Sequence, residues 1–138
     1  MTSSILRTTS RLLVVLFVLF AMFLLWRGHN DPGGGFAAGL VAAGAFSLNA
    51  VAFGPESARS TMPVDPALLM PLGLLLALSA GVAGLVAGDG FLAGQWLTAK
   101  VGGEDVKLGT PLLFDVGVFL TVVGSVMTVI ITLAAEED

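Results

Sequence analysis

His29-Asn30-Asp31-Pro32-Gly33-Gly34-Gly35-Phe36 separates two long apolar runs and holds the only histidine of the chain. Pro32 restrains φ, and the three glycines after it leave the backbone nearly free of steric limits. Asp31-Pro32 reads as an N-cap followed by the first helical position, which predicts a helix starting there. Apolar sequence follows at once, so that helix would open at a membrane surface. Its N-terminal amides and dipole would favour negative charge nearby. A tight turn between two membrane helices is one reading of the stretch. Three successive glycines exceed what a turn needs, and point instead to close approach of a neighbouring backbone, with ion chemistry as a weaker third reading.

Working outward, Leu12 to Leu25 is apolar without interruption. Counted from Ile5 to Trp26, this run is long enough to cross a hydrocarbon core of about 30 Å. Arg7 and Arg11 would sit in its first turns and reach to the headgroups, with Trp26 at the far interface. A signal peptide competes, but the exit Leu25-Trp26-Arg27 offers no small-x-small cleavage site, so the segment reads as a retained helix. On the other side, Phe36 to Phe53 carries no charge. Gly35, Gly39 and Ala43 step by four, as do Ala38 and Ala42, the pattern that lets membrane helices approach closely. Ser47 and Asn49 near the end of this run have two readings, bonds across a helix interface or local backbone bonds and headgroup contacts, of which the local one is favoured.

Gly54 to Pro66 reads as a loop. Asp65-Pro66 repeats the cap-plus-proline signature and predicts a third helix from about Ala67 to Ala87, with Pro71 in its first turns. Gly73, Ala77 and Gly81 step by four, as do Gly84 and Gly88, a seam of small residues for another helix. Gly88 to Gly109 is the longest polar segment. Phe91, Leu92, Trp96 and Leu97 suit an interfacial layer there. The segment forms either a short hairpin around Gly102-Gly103-Glu104 or an irregular loop. Thr110-Pro111 is a third cap-plus-proline start, and the fourth helix runs from about Leu112 to Leu133.

That helix contains one charge, Asp115, and an ionisable residue inside a membrane helix is costly. Either Asp115 bonds headgroups, water or a neighbour near the surface, or it faces a hydrated cavity and takes part in passage of protons or cations. Gly117, Thr121, Gly124, Ser125, Thr128 and Thr132 share one side of the helical wheel, and Asp115 projects away from them.

Composition agrees with the pattern. Of 138 residues 56% are hydrophobic and 12% charged, about half the charged share of a soluble domain. The expectation is an all-α integral membrane protein: a single domain over 1–138, with transmembrane helices near 5–26, 35–53, 66–87 and 111–133. Cysteine is absent and histidine occurs once, which argues against disulfides, iron–sulfur ligation and a conventional zinc site. No catalytic residues, metal or cofactor are expected. The six basic residues are scattered, so no nucleic-acid surface is expected. Arg7 and Arg11 favour a cytoplasmic N-terminus, and four helices bring the C-terminus to the same side.

Two stretches carry a resemblance. Gly28-His29-Asn30-Asp31-Pro32-Gly33-Gly34-Gly35-Phe36-Ala37-Ala38-Gly39 resembles the Gly-His-x-x-Pro-Gly-Gly-Gly-Phe-x-x-Gly segment of the MnhB family, the B-type subunits of Mrp-type (Mnh-type) multisubunit sodium/proton antiporters. Phe114-Asp115-Val116-Gly117-Val118 is similar to the second signature of that family, which opens its last helix. The resemblance implies a small accessory subunit of a bacterial inner-membrane complex. Its partners would be the A, C, D, E, F and G subunits, and the complex would exchange Na+ for H+ and support pH homeostasis. Carried over by motif, Pro32, Gly33, Gly34, Gly35 and Phe36 form a candidate functional loop, with His29, Asp31 and Asp115 as candidate ion-pathway residues. Gly39, Gly73, Gly81, Gly117 and Gly124 are expected at helix contacts. The alternatives are a membrane-arm subunit of a hydrogenase or related respiratory complex, and a free-standing four-helix channel or structural membrane protein.

Overall fold

The structure, a computed structural model, describes residues 3–28 and 34–137. Four long apolar helices dominate: α1 (Ser4–Arg27), α2 (Gly34–Phe53), α4 (Pro66–Val86) and α5 (Thr110–Glu136). At 20 to 27 residues each, they extend roughly 30–40 Å, enough to cross a bilayer. A short helix α3 (Pro55–Thr61) lies between α2 and α4, and a hairpin of β1 (Trp96–Val101) and β2 (Glu104–Gly109) precedes α5.

Local chemistry sets most of the ends. Ser3 caps α1, its hydroxyl accepting from the Leu6 amide at 3.1 Å. Asp65 caps α4, its carboxylate accepting from Ala67 N at 3.0 Å, with Pro66 in the first turn. α4 ends in a glycine-based reversal: Gly88 adopts φ +88°, Gly88 N donates to Leu85 O and Asp89 N donates to Gly84 O. Gly88 therefore stops the helix and takes no part in a packing seam. The start of α5 differs from expectation by one residue. Gly109 holds the cap position, Thr110 is already helical, and the Thr110 hydroxyl accepts from Gln95 N at 3.0 Å. The Thr110 side chain thus fastens the hairpin base to the helix.

α3 lies where the sequence reads as a loop. Gly54 supplies φ +94°, Pro55 occupies the first helical turn and Glu56 adds a favourable charge near the N-terminus. Those three residues are a start signal in themselves. The helix persists because Ala58 and Met62 reach a core shared with Met127 and Ile131. Asn49 is buried and its Oδ1 accepts from the Ser57 hydroxyl at 3.4 Å, tying α2 to α3; the Ser47 hydroxyl bonds locally to Ala43 O at 2.6 Å and also lies 3.7 Å from the Met127 sulfur of α5. The hairpin alternative is the one formed. Gly102 and Gly103 both take positive φ, as a two-residue turn of matching twist requires.

The helices stand in a row, α1–α2–α5–α4. α2 and α5 run parallel at the centre: Gly35 meets Asp115, Gly39 meets Val122, and Ser47 reaches the Met127 sulfur. α1 runs antiparallel to α2, with the Ser10 hydroxyl bonded to Leu48 O at 3.4 Å. α4 runs antiparallel to α5. One end of the row therefore carries Ser4, Phe53, α3 and Glu136, and the other carries Arg27, Gly34, Val86, the hairpin and Thr110.

The interior is built of small residues. Ala38, Ala42, Ala43, Ala45, Ala50 and Ala52 are buried on α2, whereas most leucines and phenylalanines of α1 and α4 face outward. In lipid, burying leucine gains little, so helices associate by backbone proximity and leave the large side chains to the acyl chains.

A candidate functional site at the start of two parallel helices

Each interhelical contact uses a different set of the small residues. Gly73 and Gly117 face each other. A Cβ built on Gly73 would lie 2.5 Å from Gly117 O and Thr121 N, and one on Gly117 would lie 2.6 Å from Ala77 N. Gly124 abuts the first turns of α4, 2.5 Å from Met70 N on the same test. The polar and small stripe of α5 therefore seats on α4, and its hydroxyls fold back onto α5 itself: Thr121 to Gly117 O, Ser125 to Thr121 O and Thr128 to Gly124 O. Gly39 faces Val122 of α5.

Gly81 departs from the expected pattern. The atoms nearest its Cβ position come from the segment after α4 and not from a helix. The segment after α4 folds back instead, so that the Phe91 ring and Leu92 lie against Gly81, and Gly90 and Ala93 against Gly84. Leu92 donates its amide to Gly81 O at 3.1 Å and adopts φ +64°, a strained conformation for a leucine. Phe91 and Leu92 are thus drawn to the α4 surface and only partly serve as an interfacial layer. The seam continues past the last helix contact because any close-lying backbone can use the space a missing Cβ leaves.

The acid belongs to another face. Asp115 lies one turn inside α5 and points at the first residues of α2, where Gly35 N donates to its Oδ1 at 3.3 Å. This satisfies one of the amides that a helix start leaves without an intrahelical partner, and places a carboxylate at the positive end of the α2 dipole. Glycine is required at both α2 positions of this contact, at Gly34 by its backbone angle and at Gly35 by lack of space. Gly34 takes φ +90°, and a Cβ there would be 3.5 Å from Asp115 Oδ1. A Cβ on Gly35 would overlap the Asp115 carbonyl oxygen and lie 2.8 Å from its carbon and 3.0 Å from Phe119 N. Phe36 points outward and is 61% exposed.

Asp115 is half-buried and lines a cavity of about 360 Å³ together with Gly28, Ala80, Leu92, Thr110, Pro111 and Phe114. Among the described residues, the Gly35 amide is the hydrogen-bond partner of the carboxylate, which leaves its second oxygen able to receive water, a proton or a cation. Among the described residues no group of three His, Cys, Asp or Glu side chains converges to hold a metal ion. His29, Asp31, Pro32 and Gly33 lie outside the described residues, as does the Asp31-Pro32 cap expected for α2; the described helix begins at Gly34. The capping role of Asp115 has no local signal, because its partner lies 80 positions away in the chain.

Comparison with known proteins gives this arrangement a context. Residues 5–128 match the family profile described as "Domain related to MnhB subunit of Na+/H+ antiporter". The chain is 35% identical over 135 residues to the Na(+)/H(+) antiporter B-type subunit of Alkalihalophilus pseudofirmus, covering 96% of this chain and 93% of that protein. It is 38% identical over 136 residues to the Na(+)/H(+) antiporter B-type subunit of Bacillus subtilis, covering 96% of this chain and 94% of that one. Its fold matches part of the Mrp complex from Dietzia sp. DQ12-45-1b with a TM-score of 0.79 and 37% identity. The match takes in 94% of this chain but only 14% of that chain, so the same unit there is part of a much longer polypeptide. With a family profile over most of its length and relatives matched nearly end to end, this multi-pass membrane chain belongs to the MnhB family of Na+/H+ antiporter subunits.

Proposed function

We propose that this chain is a membrane subunit of a multisubunit Na+/H+ antiporter. It works beside the other Mrp subunits in a complex that exports Na+ in exchange for H+, and acts as a transport component rather than an enzyme. The antiporter names borne by its relatives favour this reading over a hydrogenase membrane arm. The complex lies in the bacterial inner membrane, and the end that carries Arg7 and Arg11, with both termini, faces the cytoplasm.

The observation that carries a direct part in ion passage is the junction of the two motif stretches. Gly34 and Gly35 of one meet Asp115 of the other at the edge of a cavity. In this reading Asp115 has two tasks. One oxygen holds the start of α2 against α5. The other gives the cavity a negative charge beside the apolar Ala80, Leu92, Pro111 and Phe114, next to Gly28 and Thr110, where a cation or proton gains from a carboxylate. His29 and Asp31, close in sequence to Gly34, are proposed to belong to the same end of the path.

The test is Asp115→Asn, which keeps an oxygen to accept the Gly35 amide and removes the charge. Reduced Na+/H+ exchange in everted vesicles, with the complex recovered at normal yield, is expected. Normal exchange at normal yield would take Asp115 out of the ion path and leave it as a helix clamp.

A further inference from the structure

At the opposite end of the row, two arginines converge on one ring. The guanidinium carbons of Arg7 and Arg11 lie 5.8 and 5.3 Å from the centroid of Phe53, the last residue of α2. Their i, i+4 spacing puts two like charges side by side, which is unfavourable on a helix. It also puts them near the positive end of the α1 dipole, which adds to the cost. The π-face of Phe53 offsets part of this, but a ring carries no net charge. The Ser10 hydroxyl beside them is buried and committed to Leu48 O. Among the described residues neither guanidinium pairs with a carboxylate or donates a hydrogen bond, so the chain itself supplies no acceptor for these two planar forks of N–H donors.

Their depth identifies the anion. Arg7 is the fourth residue of α1, and the uninterrupted apolar run begins at Leu12. Both guanidinium groups therefore sit at headgroup level when the helix spans the bilayer. α1 stands at the edge of the row and is the least buried of the four spans. About a quarter turn round α1 from the arginines, Leu12, Val15 and Leu19 are 63%, 57% and 62% exposed, an apolar track leading from headgroup level toward the middle of the span. A ligand with a phosphate at one end and acyl chains at the other matches this sequence of features, and guanidinium forks suit phosphate oxygens.

We propose that Arg7 and Arg11, aligned over Phe53, bind the phosphate of an anionic phospholipid whose chains lie along Leu12, Val15 and Leu19. The site fixes the edge of the subunit in one leaflet and is independent of the ion path around Asp115.

The test uses the complex containing the full chain, purified, stripped of lipid, and offered equal amounts of phosphatidylglycerol and phosphatidylcholine in nanodiscs. Retained lipid is read by native mass spectrometry. The wild type is expected to keep phosphatidylglycerol several-fold over phosphatidylcholine. Arg7→Gln with Arg11→Gln is expected to bring the two lipids to parity, and Arg7→Lys with Arg11→Lys to keep part of the preference. Equal retention by the wild type, or an unchanged preference in the glutamine variant, overturns the proposal. Displacement of the bound lipid by millimolar inorganic phosphate would identify a free-anion site and overturn it as well. Should the glutamine variant fail to purify, the wild-type preference must still fall as salt is raised, and a salt-insensitive preference refutes the site.

Discussion

Replacing Gly35 with alanine tests the central contact most directly. The added Cβ would overlap the Asp115 carbonyl oxygen and come within 2.8 Å of its carbon and 3.0 Å of Phe119 N. All three are helix backbone atoms, so no side chain can rotate away. A carbon rests about 3.3 Å or more from a carbonyl oxygen, so α2 must move off α5 by on the order of 1 Å. That shift loosens Gly39 from Val122 and lengthens the 3.3 Å bond from Gly35 to Asp115. Overpacking of this kind costs about 1–3 kcal/mol, and losing a hydrogen bond to a carboxylate about 1.5–3 kcal/mol. The better helix propensity of alanine returns roughly 0.5–1 kcal/mol. The net expectation is a loss of about 2–5 kcal/mol, read as a lowered melting temperature of the detergent-solubilised protein and poor recovery of the complex on native gels. Gly44→Ala is the matched control. It lies on the same helix with nothing within 4 Å of its Cβ position, so it should be neutral or stabilise by about 0.5–1 kcal/mol. If Gly35→Ala and Gly44→Ala melt alike and assemble alike, α2 and α5 do not meet at Gly35, and the glycine run is only a turn.

Three further outcomes are expected. Asp115→Ala, which leaves the Gly35 amide without its acceptor, should lower stability by about 1–3 kcal/mol, whereas Asp115→Asn should cost less; paired thermal melts separate the two. Asp65→Ala removes the cap of α4 and should cost about 1 kcal/mol, visible as faster amide exchange in the first turn of that helix. Gly103→Val forces a β-branched side chain into φ +86° and should open the hairpin, so the Thr98 to Lys107 amides exchange freely while the four long helices keep their circular dichroism.

What can be read along the chain, and what cannot, follows from range. The span lengths, the Asp65-Pro66 start and the separation of Asp115 from the small-residue side of α5 depend on residues a few positions apart, and such patterns are visible in sequence. α3 escapes a reading by pattern because its seven residues are too few to show a period, although Gly54-Pro55-Glu56 marks its start. Thr110 carries the cap signature yet serves Gln95, since a hydroxyl takes whichever amide the fold brings near. Gly81 announces close packing but not what packs there; a folded-back loop with a strained Leu92 fills the place expected for a helix.

By itself, then, the amino-acid order determined that four apolar helices cross a membrane, that small residues line their contacts and that one carboxylate lies within the last span, because hydropathy, spacing and charge are local properties. Only the tertiary structure decided that α2 and α5 run parallel at the centre of a row, that Asp115 closes the start of α2, and that Arg7 and Arg11 share Phe53. Those facts join residues as many as 80 positions apart. Since small residues fit any close neighbour equally well, the choice of neighbour rests with the packing of the whole chain.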